Sequence, residues 1–185
     1  QLAGKEHIFR RFQYQQNAGL KYGIGSVGKP AWMYNDKGHF NSSDPQMFEE
    51  FAEFWASLLI YDRDNYGLDF QYIVLQNEPT WSLKESSWLG FTPNQLSNAI
   101  KAVGRRLRQE GFDTMIIAPD DFQAKATRVM CQTILPDSNV KKQLTGGLNL
   151  RSFRPITKRT RLHSFSVPQL NHYKSNSCIS INYIN

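Results

Sequence analysis

Three short apolar runs, residues 20–27 (LKYGIGSV), 72–76 (YIVLQ) and 114–118 (TMIIA), alternate with two long segments of helical periodicity, and this order restricts the fold more than any other feature of the sequence. Between the first two runs, Met47, Phe48, Phe51, Phe54, Trp55, Leu58 and Leu59 recur at helical spacing and form one apolar face. Asp44-Pro45 precedes that face. A carboxylate there can cap free amides and a proline fits the first helical position, so a helix is expected from this point to about Asn65-Tyr66-Gly67. Between the second and third runs, Thr92-Pro93-Asn94-Gln95 has the pattern of a capping box. Leu96, Ile100, Val103 and Leu107 make the stripe of the helix it starts, and Gly111 stops it. The run at 72–76 lacks polar alternation, as expected of a parallel strand covered on both faces. Strand, helix, strand, helix, strand therefore implies parallel strands joined by right-handed helical crossovers. A barrel and an open doubly wound sheet both satisfy this order.

Composition places the chain among globular proteins, with 40% hydrophobic and 13% aromatic residues in 185. No apolar run approaches the roughly 20 residues needed to span a bilayer. The sequence starts at Gln1 and runs directly into charged residues with no visible signal peptide, which is expected of a processed product or a fragment. The net charge of +6 conceals a division. Residues 1–122 hold 12 Lys and Arg against 15 Asp and Glu, whereas residues 123–185 hold 10 against Asp137 alone. Two parts are expected: an α/β unit over 1–122 and a basic C-terminal tail over 123–185. After Thr145 neither alternation nor a helical stripe persists, as in a continuation that follows a frameshift, a retained intron or a truncation. The cluster Arg151, Arg154, Lys158, Arg159 and Arg161 has the charge to bind nucleic acid, but no aromatic-interleaved recognition motif accompanies it, and a solvated tail is the simpler reading.

No cofactor or metal pattern is present. Gly23-x-Gly25 lacks the third glycine of a phosphate loop and opens no helix, so it reads as close backbone packing within a strand. Cys131 and Cys178 are far apart, and His163 and His172 lack carboxylate or cysteine partners at ligand spacing.

Function concentrates after the second run. In parallel barrels, catalytic side chains project from the carboxyl ends of strands, where several loops meet. Residues 72–76 lead into Asn77-Glu78-Pro79, and Pro79, having no amide hydrogen, stops the strand ladder. Asn77 offers a donor and acceptors to a polyhydroxylated ligand. Trp32 follows the preceding strand, and Trp81, Trp88 and Phe91 follow Glu78, so flat aromatic faces suited to a pyranose surround a carboxylate. Blander roles exist for each. Glu78 could cap a neighbouring helix, Asn77 could shape a turn, and the tryptophans could brace their loops. Trp55, on the helix stripe, belongs to the core.

Gln76-Asn77-Glu78-Pro79, with Lys29-Pro30-Ala31-Trp32-Met33 one unit upstream, resembles the clan A glycoside hydrolases over about residues 15–122, family 30 most of all and family 5 more distantly. The resemblance implies a partial (β/α)8 TIM barrel holding about strands three to five. It also implies Glu78 as general acid/base, Asn77 as holder of the sugar 2-hydroxyl, an oligo- or polysaccharide substrate and an extracellular setting. Retaining enzymes of this kind need a second carboxylate roughly 5–5.5 Å from the first. The clan takes it from a glutamate after the seventh strand, and this sequence has no glutamate beyond Glu110. The chain is accordingly expected to be a fragment that is inactive alone and that self-associates through open barrel edges. A non-catalytic carbohydrate-binding remnant is the alternative, and nucleic-acid binding through the tail a second one.

Overall fold

A computed structural model describes residues 6–25, 29–79, 90–121 and 123–144. Its elements are α1 (Glu6–Asn17), β1 (Gly23–Gly25), a 3-10 turn (Ala31–Met33), α2 (Met47–Tyr66), β2 (Tyr72–Val74), α3 (Pro93–Gln109), β3 (Met115–Ile117), α4 (Ala124–Ile134) and α5 (Ser138–Leu144). The strands form one parallel sheet in the order β1-β2-β3, with Ile24 opposite Ile73 and Ile73 opposite Ile116. This is a small parallel α/β unit of the expected strand and helix order. Each strand spans three residues, fewer than its apolar run.

The helices follow their end signals closely. Thr92 and Gln95 close the capping box, the Gln95 amide donating to Thr92 Oγ1 at 3.3 Å and the Thr92 amide to Gln95 Oε1 at 2.8 Å. Such a cap contributes about 1 kcal/mol. At the other end of α2, Gly67 takes φ 65° and its amide bonds the Arg63 carbonyl, so the helix stops in a left-handed cap that glycine adopts without steric cost. The start of α2 differs from expectation. Asp44 Oδ1 accepts from the Gln46 amide at 2.9 Å, which closes a turn around Pro45, and the helix begins at Met47 instead of Pro45. The aspartate side chain satisfies a turn amide there in place of a helix amide.

Packing joins the two long helices to one face of the sheet. Phe51, Trp55 and Leu59 of α2 and Leu96, Ile100 and Val103 of α3 are buried in one core with Ile73, Leu75 and Ile116. Tyr72, Val74, Met115 and Ile117 alternate with those residues and stand outside that core, as strand pleating requires. The glycines of β1 permit close strand approach: a Cβ at Gly23 would lie 2.7 Å from the Tyr72 carbonyl oxygen, and one at Gly25 would lie 2.7 Å from Val74 Cβ. The strand-packing reading of Gly23-x-Gly25 holds.

Two regions add helices to the expected strand and helix order. Helix α1 seals the amino end of the sheet, where Phe12 stacks on Tyr22 and meets Phe70 edge-on. At the opposite end of the chain, Met130 and Ile134 of α4 and Val140 and Leu144 of α5 are buried in the common core. The composition break at residue 122 is therefore not where packing stops, because apolar residues at helical spacing persist to Leu144. Residues 145–185, including the arginine cluster, lie outside the described residues. Among the described residues, no helix is long and apolar enough to cross a membrane.

Candidate active site

Because all three strands run parallel, their carboxyl ends deliver side chains to one edge of the sheet. Lys29 follows β1, Gln76, Asn77 and Glu78 follow β2, and Asp120 follows β3. Asn77 and Asp120 form a parallel bridge that prolongs the β2–β3 pairing by one isolated step. The Glu78 amide donates to the Asp120 carbonyl at 2.7 Å. Glu78 itself has φ 45°, and among the described residues it alone, apart from glycines, has positive φ. Left-handed backbone costs a residue with a Cβ about 1–2 kcal/mol, and such strain persists where surrounding contacts hold it. Glu78, half-buried as a residue, thus sits on a backbone fixed from the neighbouring strand.

A second set of bonds reaches the same place from β1. Lys29 Nζ donates to Gln76 Oε1 at 3.0 Å, and Gln76 Nε2 donates to the Asn77 carbonyl at 3.0 Å. Gln76 is buried. The Lys29 ammonium lies 5.9 Å from the centre of the Trp55 ring, in range for attraction to its π face. Lys29 as a residue is half-buried, but its ammonium end is enclosed, and burial pulls its pKa down to about 7.

The loops beside this edge are tied together. Met33 is fully buried and anchors the 3-10 turn, leaving Trp32 52% exposed. Tyr34 and Phe40 then pair as an antiparallel bridge, and Phe40 stacks on Phe91 with ring centres 4.8 Å apart. The loop after β1 is thereby fixed to the segment after the second loop. Phe91 is fully buried, so it belongs to the core and not to the aromatic lining expected of it. Its position next to the helix cap turns it onto Phe40 and Phe51. Trp81 and Trp88 lie outside the described residues.

Two solved structures share this arrangement of strands and helices. The endo-beta1,6-glucanase BT3312 matches with a TM-score of 0.63 and 19% identity over 78% of this chain and 35% of that one. The catalytic domain of GH30 xylanase C from Talaromyces cellulolyticus matches with a TM-score of 0.56 and 17% identity over 71% of this chain and 33% of that one. The fold is glycoside hydrolase-like. The chain spans about a third of the length of these two structures. No protein-family model and no curated protein sequence matches it.

Within this glycoside hydrolase-like unit, Asn77 and Glu78 stand together at the end of the central strand, and Trp32 stands in the loop after β1. Of the two aspartates after β3, Asp121 accepts at Oδ1 from the Gln123 amide at 3.3 Å on the approach to α4. Asp120 remains beside Asn77, and only 9% of it is exposed. Sequence reasoning assigned no function to Lys29 or Gln76. Gln76 ends an apolar run and Lys29 precedes a proline, so each reads locally as an ordinary strand-end polar residue. Only the pairing of β1 with β2 brings them together.

Proposed function

We propose that this chain is a segment of a retaining glycoside hydrolase of the family 30 type, acting on β-linked saccharides, with Glu78 as general acid/base. The observation that supports this reading is the Asn77-Glu78 pair at the carboxyl end of the central parallel strand, with Glu78 in a strained backbone conformation fixed by Asp120. In such a mechanism Glu78 first protonates the departing glycosidic oxygen and then deprotonates the water that releases the sugar. Asn77 holds the hydroxyl next to the reacting carbon, and the exposed face of Trp32 packs against a ring. Trp81 and Trp88, which lie outside the described residues, are further sugar-binding candidates by sequence alone. The remaining strands of a (β/α)8 barrel supply the nucleophile. Without it the 185-residue chain binds sugar and does not turn it over, and an extracellular setting fits an enzyme acting on external polysaccharide.

The test is direct. β-Linked gluco- and xylo-oligosaccharides are titrated into the full chain while tryptophan fluorescence is followed, and aryl β-glycoside hydrolysis is assayed in parallel for the native chain and Glu78→Gln. Saccharide-dependent fluorescence change that weakens in Asn77→Ala, with no hydrolysis, is expected. Absence of any saccharide response would overturn the site assignment. Hydrolysis lost in Glu78→Gln would keep Glu78 as catalyst and overturn the incomplete-pair reading.

A further inference from the structure

We infer that Lys29 and Gln76 are positioning residues for Glu78, forming half of a clamp on the Asn77–Glu78 peptide group whose other half is the Asp120 carbonyl. A peptide group is planar and presents one acceptor and one donor, so bonding both fixes the plane. Here the acceptor, the Asn77 carbonyl, receives Gln76 Nε2 at 3.0 Å, and the donor, the Glu78 amide, reaches the Asp120 carbonyl at 2.7 Å. The rotation that sets φ of Glu78 at 45° begins at this plane.

Lys29 gives the clamp its polarity. A carboxamide can present either its oxygen or its nitrogen, and in a flipped orientation Gln76 would offer oxygen to the oxygen of Asn77. An ammonium has donors and no acceptor. Below about pH 7, where Lys29 holds its proton, Nζ 3.0 Å away has only donors to offer, so the Gln76 oxygen faces Lys29, which leaves Nε2 for the Asn77 carbonyl. The π face of Trp55 holds the ammonium in place from α2. Neither side chain reaches the reacting atoms through these bonds. They act on Glu78 through its backbone.

The inference rests on the reading of Glu78 as acid/base only for its purpose, since the clamp itself is a backbone property. Nuclear magnetic resonance of the full, isotope-labelled chain below about pH 7, where Lys29 is charged, reads it without any substrate. Gln76→Glu keeps an acceptor for Lys29 but has no donor for Asn77, Lys29→Met removes the polarity, and Lys29→Arg restores an all-donor cation. In Gln76→Glu and Lys29→Met, exchange of the Glu78 amide should accelerate by roughly fivefold, the factor expected on losing one hydrogen bond. The coupling between its amide and α protons, which reports φ, should change with it. Signals from α3, and from α2 away from Trp55, should stay in place, and Lys29→Arg should behave as the native chain does. An unchanged Glu78 signal in both disrupting variants, or failure of Lys29→Arg to differ from Lys29→Met, would overturn the clamp. Loss of saccharide binding with these signals intact would instead count against the proposed function alone.

Discussion

The helical layer made by α2 and α3 and the strand ends that carry Glu78 contrast in how they treat local rules. In the layer, apolar stripes are buried, Thr92 caps its helix, Gly67 takes the left-handed position, and Glu49 and Glu50 occupy the first turn of α2, where the helix dipole favours acids. At the strand ends a glutamate occupies the left-handed region, a lysine ammonium is enclosed and an aspartate is nearly buried. Local conflict of this kind is costly and concentrates where function requires a fixed geometry. The difference gives the two regions separate characters: the layer supplies stability and the strand ends spend part of it on fixing the Glu78 backbone.

The most severe way to break this contrast is Trp55→Ala. Trp55 is fully buried in α2, meets Phe51 edge-on and lies beneath Lys29, so it belongs to the layer and touches the site. Removing a buried tryptophan costs about 3–5 kcal/mol, which is a large share of an ordinary domain's stability. Urea unfolding followed by circular dichroism should show that loss or no folded baseline at all. A cost below about 1 kcal/mol, the size of a modest surface change, would mean that the layer is not the foundation of the site.

The dependence of stability on pH sharpens the contrast, because each region holds one displaced titration and the two have opposite signs. Asp62 in α2 is 1% exposed, and burial raises its pKa from 3.8 to about 6. Between those values the folded chain binds the proton and the unfolded chain does not, so this group's contribution makes stability fall as pH rises. Lys29 has its pKa lowered from 10.5 to about 7 by burial. Between about 7 and 10.5 the unfolded chain holds the proton and the folded chain has released it, so its contribution makes stability rise with pH. Asp62→Asn should remove the falling limb and Lys29→Met the rising one, and at pH 6.5 removal of either buried charge acts in the stabilising direction, for Lys29→Met against the loss of its bond to Gln76. Denaturation midpoints measured from pH 4 to 10 decide the matter; variants that track the native profile in parallel would show that neither titration is coupled to folding. Lys29→Met is informative for the clamp also, since it removes the displaced titration while loosening Glu78.

Which parts were legible in the sequence follows from the range of the interactions involved. The capping box at Thr92, the stop at Gly67 and the stripe through Trp55 depend on residues within a few positions of each other, and they could be read directly. The start of α2 could not, because Asp44 had two local uses and the turn around Pro45 prevailed. Asn77 and Glu78 were visible from their place after an apolar run. The bonds that support them were not, since Lys29 and Gln76 are 47 residues apart and the Asp120 carbonyl comes from another strand. In the sequence Phe91 reads as a ligand-side aromatic because it follows Trp81 and Trp88, and only its packing on Phe40 reveals a core role.

The finest distinction concerns the backbone of Glu78 apart from its carboxylate. Glu78→Ala and Glu78→Gly both remove the acid, but alanine keeps the Cβ that φ 45° crowds and glycine does not. Left-handed strain of about 1–2 kcal/mol is relieved only in the glycine variant. Against it stands the greater freedom that glycine gives the unfolded chain, worth roughly 0.5–1 kcal/mol. Glu78→Gly should therefore be more stable than Glu78→Ala, by up to about 1.5 kcal/mol, a margin set by these opposing terms. The same comparison made at Glu50, on the exposed side of α2, should have the reverse sign, because glycine within a helix is less stable than alanine by about 1 kcal/mol. Opposite signs at the two positions would establish that the strand end stores strain and the helix does not. A glycine penalty at both would place Glu78 in an ordinary loop, and the backbone argument for its special role would fail.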